Sequence, residues 1–341
     1  MIQTLTEFFV EWNPRVEDEM MTVVKDSWRA APREFTTMLL YHLGFANADA
    51  SPTRIYSGKR IRPMLVLLSC EAAGGNLSQA LPAAAAVELL HNFSLIHDDI
   101  EDGDEMRRGR ATVWKVWGVP QAINAGDGMF AMAHIALERC AERGVIAERV
   151  LHVLRVFDEM CVHLTVGQHL DIGFETRTDV DSNDYMNMID GKTAALTKAC
   201  CEMGAILGGA SQSVVAKLAE FGRCLGLSFQ LQDDVLGIWG DPSMTGKADS
   251  DLVHRKKTLP VLYAADRNAD IRARYFGVGA ISQDEAQKIK AMIEAEGGRK
   301  HTEDAATVAY ANGMEALASI PQTRSRELLE NLAKSLLGRA T

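Results

Sequence analysis

The stretch His91-Asn92-Phe93-Ser94-Leu95-Ile96-His97-Asp98-Asp99-Ile100-Glu101-Asp102 decides how the rest of the chain is read. Asp98 and Asp102 are four apart, so on a helix one carboxylate lies above the other. His91, seven before Asp98, falls on the same stripe by 3.6-residue periodicity. Carboxylates stacked at the end of an apolar helix make either a solvated helix end or a cation site. Hard oxygen ligands of this kind suit Mg2+, which keeps waters and commonly shares its remaining positions with phosphate oxygens. Alone, a DDxxD does not separate the two readings, because short motifs carry false positives. The surrounding residues do.

Arg107-Arg108-Gly109-Arg110 follows within one loop's reach of the carboxylates. Upstream, Ser57-Gly58-Lys59-Arg60-Ile61-Arg62-Pro63 packs three cations into four residues before the apolar run Met64-Leu65-Val66-Leu67-Leu68. That cluster is either the basic flank of a buried helix or a phosphate clamp, since Arg forks and Lys point charges are the usual diphosphate partners. Far downstream the pattern returns. Phe229-Gln230-Leu231-Gln232-Asp233-Asp234-Val235-Leu236-Gly237 is followed by Asp241-Pro242, Thr245-Gly246-Lys247 and Arg255-Lys256-Lys257-Thr258-Leu259-Pro260. Gly222 and Gly226 on the preceding segment allow close helix packing. Between the two acidic stretches, Gly167-Gln168-His169-Leu170-Asp171 sets polar groups on an apolar run, where a satisfied hydrogen bond is the default. Asp190-Gly191-Lys192-Thr193 opens another helix. It is not a P-loop, because the earlier glycine and the preceding strand are missing. Lys192 at a helix start can still meet an anion.

The 341 residues fit two average domains or one large one. Ala83-Ala84-Ala85-Ala86 and an aromatic content of 6% favour helix over sheet. No low-complexity linker divides the chain, so the expectation is a single all-α domain over 1–341. Pro14 and Pro32 are expected to break the helical first 50 residues, and Gly74-Gly75-Asn76 to precede a helix from Leu81 to Asp102. Two or three amphipathic helices are expected over 119–175, and C-terminal helices over 281–341 with breaks at Gly297-Gly298 and Pro321. A net charge of −10 argues against a general nucleic-acid binder. The cysteines sit in apolar segments without CxxC spacing, which points to a reducing cytoplasm. No signal pattern and no uncharged run of membrane-spanning length occur.

Taken in order, GKRIRP, LIHDDIED with RRG, GQHLD, GKT, and FQLQDDVLG with TGK and KKTLP resemble the trans-type isoprenyl diphosphate synthases, the polyprenyl synthetase family. The resemblance runs from about Gly58 to Pro260. It implies an all-α, isoprenoid synthase-type helical bundle around a deep central cavity, usually a homodimer. It also implies a reaction joining an allylic diphosphate head to tail to isopentenyl diphosphate, with release of diphosphate. Three Mg2+ per active site are implied, with Asp98, Asp102 and Asp233 as direct ligands, Asp99 in support and Asp234 acting through metal-bound water. Arg107, Lys192 and Lys247 resemble the cations on the allylic diphosphate. Lys59, Arg62, His91 and Arg108 resemble the isopentenyl diphosphate pocket. Thr193 and Gln230 resemble residues lining the carbocation path, and Lys256 a further diphosphate contact. Gln168 and Asp171 match the pattern more weakly.

The chemistry accounts for these residue types. Metal ions and cationic side chains stabilise charge growing on a leaving diphosphate. The carbocation left behind needs a dry, apolar cavity, and the second substrate must be positioned against it. The family's second motif usually ends in a third Asp, where this chain has Gly237; Asp241 is one turn further on. In the family, bulky residues four and five before the first Asp close the cavity floor. Here they are Ser94 and Phe93, which resembles geranylgeranyl (C20) diphosphate synthases. A terpene cyclase on the same fold also uses DDxxD and Mg2+, but it binds one diphosphate and has no need of Lys59, Arg62, His91 and Arg108 together. A non-catalytic prenyl-diphosphate-binding subunit typically loses the carboxylates, and here five are kept.

Overall fold

The computed structural model describes residues 4–27, 30–55, 58–240, 251–277 and 279–337. Ser57, Asp241 and the Thr245-Gly246-Lys247 triplet lie outside the described residues. The described chain is helical apart from one two-stranded hairpin and an isolated bridge. It gathers into two compact units, each built from separated segments. The first comprises Met1–Val156, Cys200–Val215 and Thr323–Leu328; the second comprises Phe157–Ala199, Ala216–Gln322 and Leu329–Thr341.

The first unit is organised on α4 (Leu77–Glu101), which packs on α3 (Ile61–Ala72), α6 (Val119–Glu142) and α1 (Leu5–Asp26). Every residue of α4 from Ala80 to Leu90 is buried. A helix that is apolar on all sides belongs inside a core, and the four alanines let neighbours approach it from every direction. Its start is four residues earlier than expected, because the Asn76 side chain accepts the Ser78 amide at 2.9 Å and caps it there. Pro14 does not break α1. The buried stripe Phe8, Trp12, Val16, Met20 and Val23 holds that helix together across the missing hydrogen bond, so packing outweighs the proline's local cost. Pro32 does stand at a boundary, as the N-cap of α2 (Arg33–His42).

The chain then crosses the hairpin β1 (Met106–Arg107) and β2 (Arg110–Ala111) to α5 (Val113–Trp117). After α6 come α7 (Ala147–Thr176) and α8 (Ser182–Ile189), so the stretch 119–175 holds two helices. Asp190-Gly191-Lys192-Thr193 does not open a helix. It lies in a π-helical turn, Asp190–Ala194, that joins α8 to α9 (Ala195–Leu207) without a break. Next are α10 (Gln212–Trp239), α11 (Leu259–Ala265), α12 (Ala269–Tyr275), α13 (Gln283–Ala295), α14 (Gly298–Ala318) and α15 (Arg324–Leu337). In the second unit Tyr185, Leu227, Leu231, Leu259 and Leu262 share one apolar cluster, and Tyr275, Val261, Ile289 and Ile293 another.

Glycine sets the closest helix crossings. A Cβ at Gly226 of α10 would lie 2.7 Å from the Ala194 Cα, so the two backbones touch. In the first unit a Cβ at Gly204 of α9 would lie 2.8 Å from the Ser69 Cβ of α3 and closer still to the Val66 carbonyl oxygen. Backbone cannot yield there as a flexible side chain would. Gly204→Val is therefore expected to destabilise by about 1–3 kcal/mol through overpacking. The check is a lower urea-denaturation midpoint; an unchanged midpoint would mean that α3 and α9 separate without cost. Among the described residues no helix is long and apolar enough to cross a membrane.

Candidate active site

In the first unit, the last turn of α4 turns Asp99 inward, at 1% exposure, and leaves Asp98 half-buried and Asp102 exposed. Four acids at this end, Asp98, Asp99, Glu101 and the C-cap Asp102, meet the negative end of the helix dipole. A structural role would have put cations there, so the arrangement favours a bound cation over a solvated helix end. The Arg107 Nε donates to Asp99 Oδ1 at 2.5 Å. The other oxygen, Oδ2, is buried without a hydrogen-bond partner. Burial pushes the Asp99 carboxyl up, and the Arg107 bond opposes that rise. Asp99 thus orients the first arginine of the hairpin. At the hairpin's tip Arg108 (φ 51°) and Gly109 (φ 76°) both take left-handed backbone. For a non-glycine residue that conformation costs roughly 1–2 kcal/mol, a feature that clusters at functional sites.

Behind these arginines lies a buried electrostatic set. Arg62, on the first turn of α3, has its Nε buried without a hydrogen-bond partner. Burial, followed by the Arg62 and Arg108 charges, holds His91 neutral, well below its ordinary value. The same forces lower His42 to about 3, through burial and then Arg108, Arg107 and Arg110. The counter-charge is Glu88, 3% exposed. Burial raises its carboxyl, and Arg60, Arg62 and Arg108 pull it down. Arg60 is itself buried and paired with Glu17, whereas Lys59 is exposed. The GKRIRP cations therefore divide: Arg60 is locked into the fold, while Lys59 and Arg62 flank it. Glu88 and His42 were missed from sequence. The available signal was a lone acid inside an otherwise apolar helix, since a buried charge needs a partner. Asp99, Arg107, Arg108, Arg110, Tyr41 and His42 line one cleft.

In the second unit the polar residues of three motifs meet. A Cβ at Gly191 would lie 2.7 Å from the His163 carbonyl oxygen and 3.3 Å from the Gly167 Cα, so α7 and the π turn are in backbone contact. That approach lets Lys192 bond the Asp171 carboxylate. Single π turns inside helices are frequent at functional sites. Thr193 Oγ1 donates to Gln230 Oε1 at 2.8 Å, and Gln230 Nε2 donates to Asp234 Oδ1 at 3.2 Å. The Tyr185 hydroxyl donates to the other oxygen, Asp234 Oδ2. Asp234 is buried, and burial lifts its carboxyl to about 7 despite these two bonds. Its neighbour Asp233 is exposed. The two lysines of KKTLP also divide. Lys257 is buried and donates to the carbonyls of Phe174 and Glu175 at the end of α7, where a cation suits the helix dipole. Lys256 is exposed. Asp171, Lys192, Gln230, Asp233, Asp251 and Lys256 line a cleft of about 160 Å3. Gln168 is half-buried on α7. Sequence reasoning missed Tyr185 and Asp251, whose neighbours are far away along the chain.

Among the described residues no group of three or more His, Cys, Asp or Glu side chains could hold a metal ion by itself. The outward acids are the pair Asp98 and Asp102 on α4, and Asp233 on α10. Such incomplete oxygen sets suit Mg2+, which retains waters and takes further ligands from phosphate. The nearby Arg and Lys side chains suit the same anion. Helices carrying acid-rich ends beside cations, with almost no sheet, fit the isoprenoid synthase-type bundle that the motifs lead one to expect. The polyprenyl synthetase family model matches residues 50–295, and the chain belongs to that family. It is 42% identical over 309 residues to a (2E,6E)-farnesyl diphosphate synthase of Mycobacterium bovis, covering 88% of this chain and 84% of that one. Over 267 residues it is 42% identical to a geranylgeranyl diphosphate synthase of Mycobacterium tuberculosis, covering 77% and 75%. The crystal structure of a polyprenyl synthetase from Streptomyces coelicolor superposes with a TM-score of 0.86 at 37% identity, over 97% of this chain and 99% of that one.

Proposed function

We propose that the protein is a Mg2+-dependent prenyltransferase that condenses an allylic diphosphate with isopentenyl diphosphate head to tail and releases diphosphate. The observation that carries this reading is that the chain holds more cationic apparatus than one diphosphate needs. Arg60, Arg62 and Arg108 face Glu88 in the first unit, Arg62 and Arg108 also face neutral His91, and the second unit has Lys192, Lys256 and Asp233 in one cleft. A terpene cyclase needs only one such anion site, and a non-catalytic subunit has no use for both sets of acids.

Asp98, Asp102 and Asp233 are the ligands in this reading, and bound Mg2+, three ions per active site, supplies charge stabilisation to the leaving diphosphate. The remaining roles belong to the chain's own side chains. Asp99 holds Arg107 by its Nε, which leaves the rest of the guanidinium for phosphate oxygens. Lys59, Arg62, His91 and Arg108 bind isopentenyl diphosphate. His91, kept neutral, gives a hydrogen bond without a further charge. Lys192 binds the allylic diphosphate and exchanges Asp171 for it. Thr193 and Gln230 turn oxygen dipoles towards the developing cation, and Asp234 with Tyr185 fixes the Gln230 amide. Lys256 is a further diphosphate contact, and Lys247 holds the same role outside the described residues.

The chain serves as one catalytic domain, in a homodimer in the cytoplasm. In support of one domain, four of the five boundaries, those after Val156, Ala199, Val215 and Leu328, fall within helix ranges, and the fifth, after Gln322, lies in the short connection before α15. The product is C20 geranylgeranyl diphosphate, a reading supported by Phe93 and Ser94 and tested below. The deciding experiment incubates the protein with labelled isopentenyl diphosphate, Mg2+ and dimethylallyl, geranyl or farnesyl diphosphate in turn. The expected result is a Mg2+-dependent linear prenyl diphosphate of 20 carbons. A released cyclic hydrocarbon would point to the cyclase, and no turnover with any starter would point to the binding subunit.

A further inference from the structure

α2 ends at His42, and the hairpin is tied to that end. The Tyr41 hydroxyl donates to the Ala111 carbonyl at 2.8 Å. Arg110 returns two bonds, Nη1 to the Tyr41 carbonyl at 3.1 Å and Nη2 to the Ala46 carbonyl at 3.0 Å, with its guanidinium 3.9 Å above the Tyr41 ring. Arg110 is thus committed to the fold, and its bonds bring His42 into one cleft with Arg107 and Arg108. The imidazole as a whole is half-buried, but its Nε2 is enclosed and has no hydrogen-bond partner among the described residues. A histidine with a purely structural role closes such a bond, as His134 Nδ1 does with the Phe130 carbonyl at 3.0 Å. An enclosed polar atom without one is unfavourable and calls for a reason.

The cleft points to that reason. It is small, about 40 Å3, which admits a water or one phosphate oxygen but not a whole diphosphate. Its lining has three arginines to one carboxylate, Asp99, which Arg107 already answers. Such a lining suits an oxygen that carries negative charge. Burial and then the arginine charges keep the ring neutral, and in a neutral imidazole either nitrogen can hold the proton. His42 is also within electrostatic reach of His91. We propose that His42 binds isopentenyl diphosphate, its Nε2 donating a hydrogen bond to one diphosphate oxygen beside Arg108. This rests on the reading of the first unit as the isopentenyl diphosphate site, and it adds a neutral donor from α2, an element that none of the sequence motifs covers.

The test is isothermal titration calorimetry of isopentenyl diphosphate into the full-length protein, together with initial rates over isopentenyl and allylic diphosphate series. Wild type is compared with H42L, H42N and H42Q, each with a thermal melt to confirm folding. H42L loses the donor and is expected to bind isopentenyl diphosphate roughly 10- to 100-fold more weakly, the range for a hydrogen bond to a charged group. Its KM for isopentenyl diphosphate should rise, with the KM for the allylic diphosphate unchanged. H42N, whose amide reaches only the place of Nδ1, is expected to resemble H42L. H42Q sets an amide nitrogen near the place of Nε2 and is expected to recover most of the affinity. If H42L does not fold, H42N against H42Q carries the same comparison. Wild-type affinity in H42L and H42N would overturn the proposal and leave a water as the cleft's occupant, while the wild-type turnover kept the prenyltransferase reading intact. Equal losses in H42N and H42Q, or an allylic KM that rises in step, would overturn it too, by making His42 a merely structural residue. Wild-type protein that neither binds isopentenyl diphosphate nor turns it over would remove the reading of the first unit and this proposal with it.

Discussion

Asp98→Asn is expected to lower kcat/KM by roughly 100- to 1,000-fold, the scale seen when one electrostatic stabiliser of a transition state is lost, and to shift the Mg2+ dependence to higher concentration. Asp98, Asp99 and Asp102 have different settings at the end of α4. Asp98 and Asp102 share the outward face of α4, and an amide at either position keeps the shape while removing the charge that a hard cation requires. Asp99 is different, because it is buried and already committed to Arg107. Asp99→Asn should therefore leave the Mg2+ dependence close to wild type and raise the KM for the allylic diphosphate, since Arg107 loses its orienting carboxylate. Initial rates over a Mg2+ series, at several allylic diphosphate concentrations, separate these outcomes. An Asp98→Asn enzyme with a wild-type Mg2+ profile would remove Asp98 from the metal site.

The contrast between Asp98 and Asp99 also marks what the sequence could carry. Four-residue spacing put Asp98 and Asp102 on one face, while the burial of Asp99 against Arg107 became visible only in the fold. The division of Arg60 from its neighbours Lys59 and Arg62 was not separable. It depends on Glu17 and Glu88, which reach Arg60 from α1 and α4. Periodicity describes one element's faces and is silent on which distant element covers them. The same limit hid Tyr185 behind Asp234 and Asp251 beside Gly237. Pro14 failed as a helix break for a related reason: its local cost was legible, while the apolar stripe that outweighs it acts only after packing. The π turn at Lys192 was misread as a helix start because Gly191 looks like punctuation. In the fold it is the surface against which Gly167 seats.

Phe93→Ala is expected to lengthen the product from C20 by at least one five-carbon unit. Phe93 lies five residues before Asp98, about 7.5 Å back along α4 at 1.5 Å per residue. Its ring meets His97 edge-on at 4.9 Å and Phe130 of α6 at 5.1 Å, and Phe130 in turn meets His134 at 4.8 Å. These contacts make a string of four rings contributed by two helices, of which only Phe93 was marked from sequence. The crossing that seats it depends on Gly126, where a Cβ would lie 3.3 Å from the His97 Cε1 and closer still to Nε2. Ser94 adds little bulk, since its hydroxyl donates back to the His91 carbonyl at 2.9 Å. A rigid aromatic wall resists a growing chain better than a flexible side chain would, because displacing one ring disturbs the next. Rejecting even one methylene is worth about 1–3 kcal/mol, so a block against five carbons gives a sharp product distribution. Deleting the Phe93 ring removes the member that joins His97 to Phe130, and Phe130→Ala should act in the same direction. Chromatographic sizing of dephosphorylated products decides the matter. An unchanged C20 distribution in both variants would show that these rings do not set the length, and that the stop lies elsewhere.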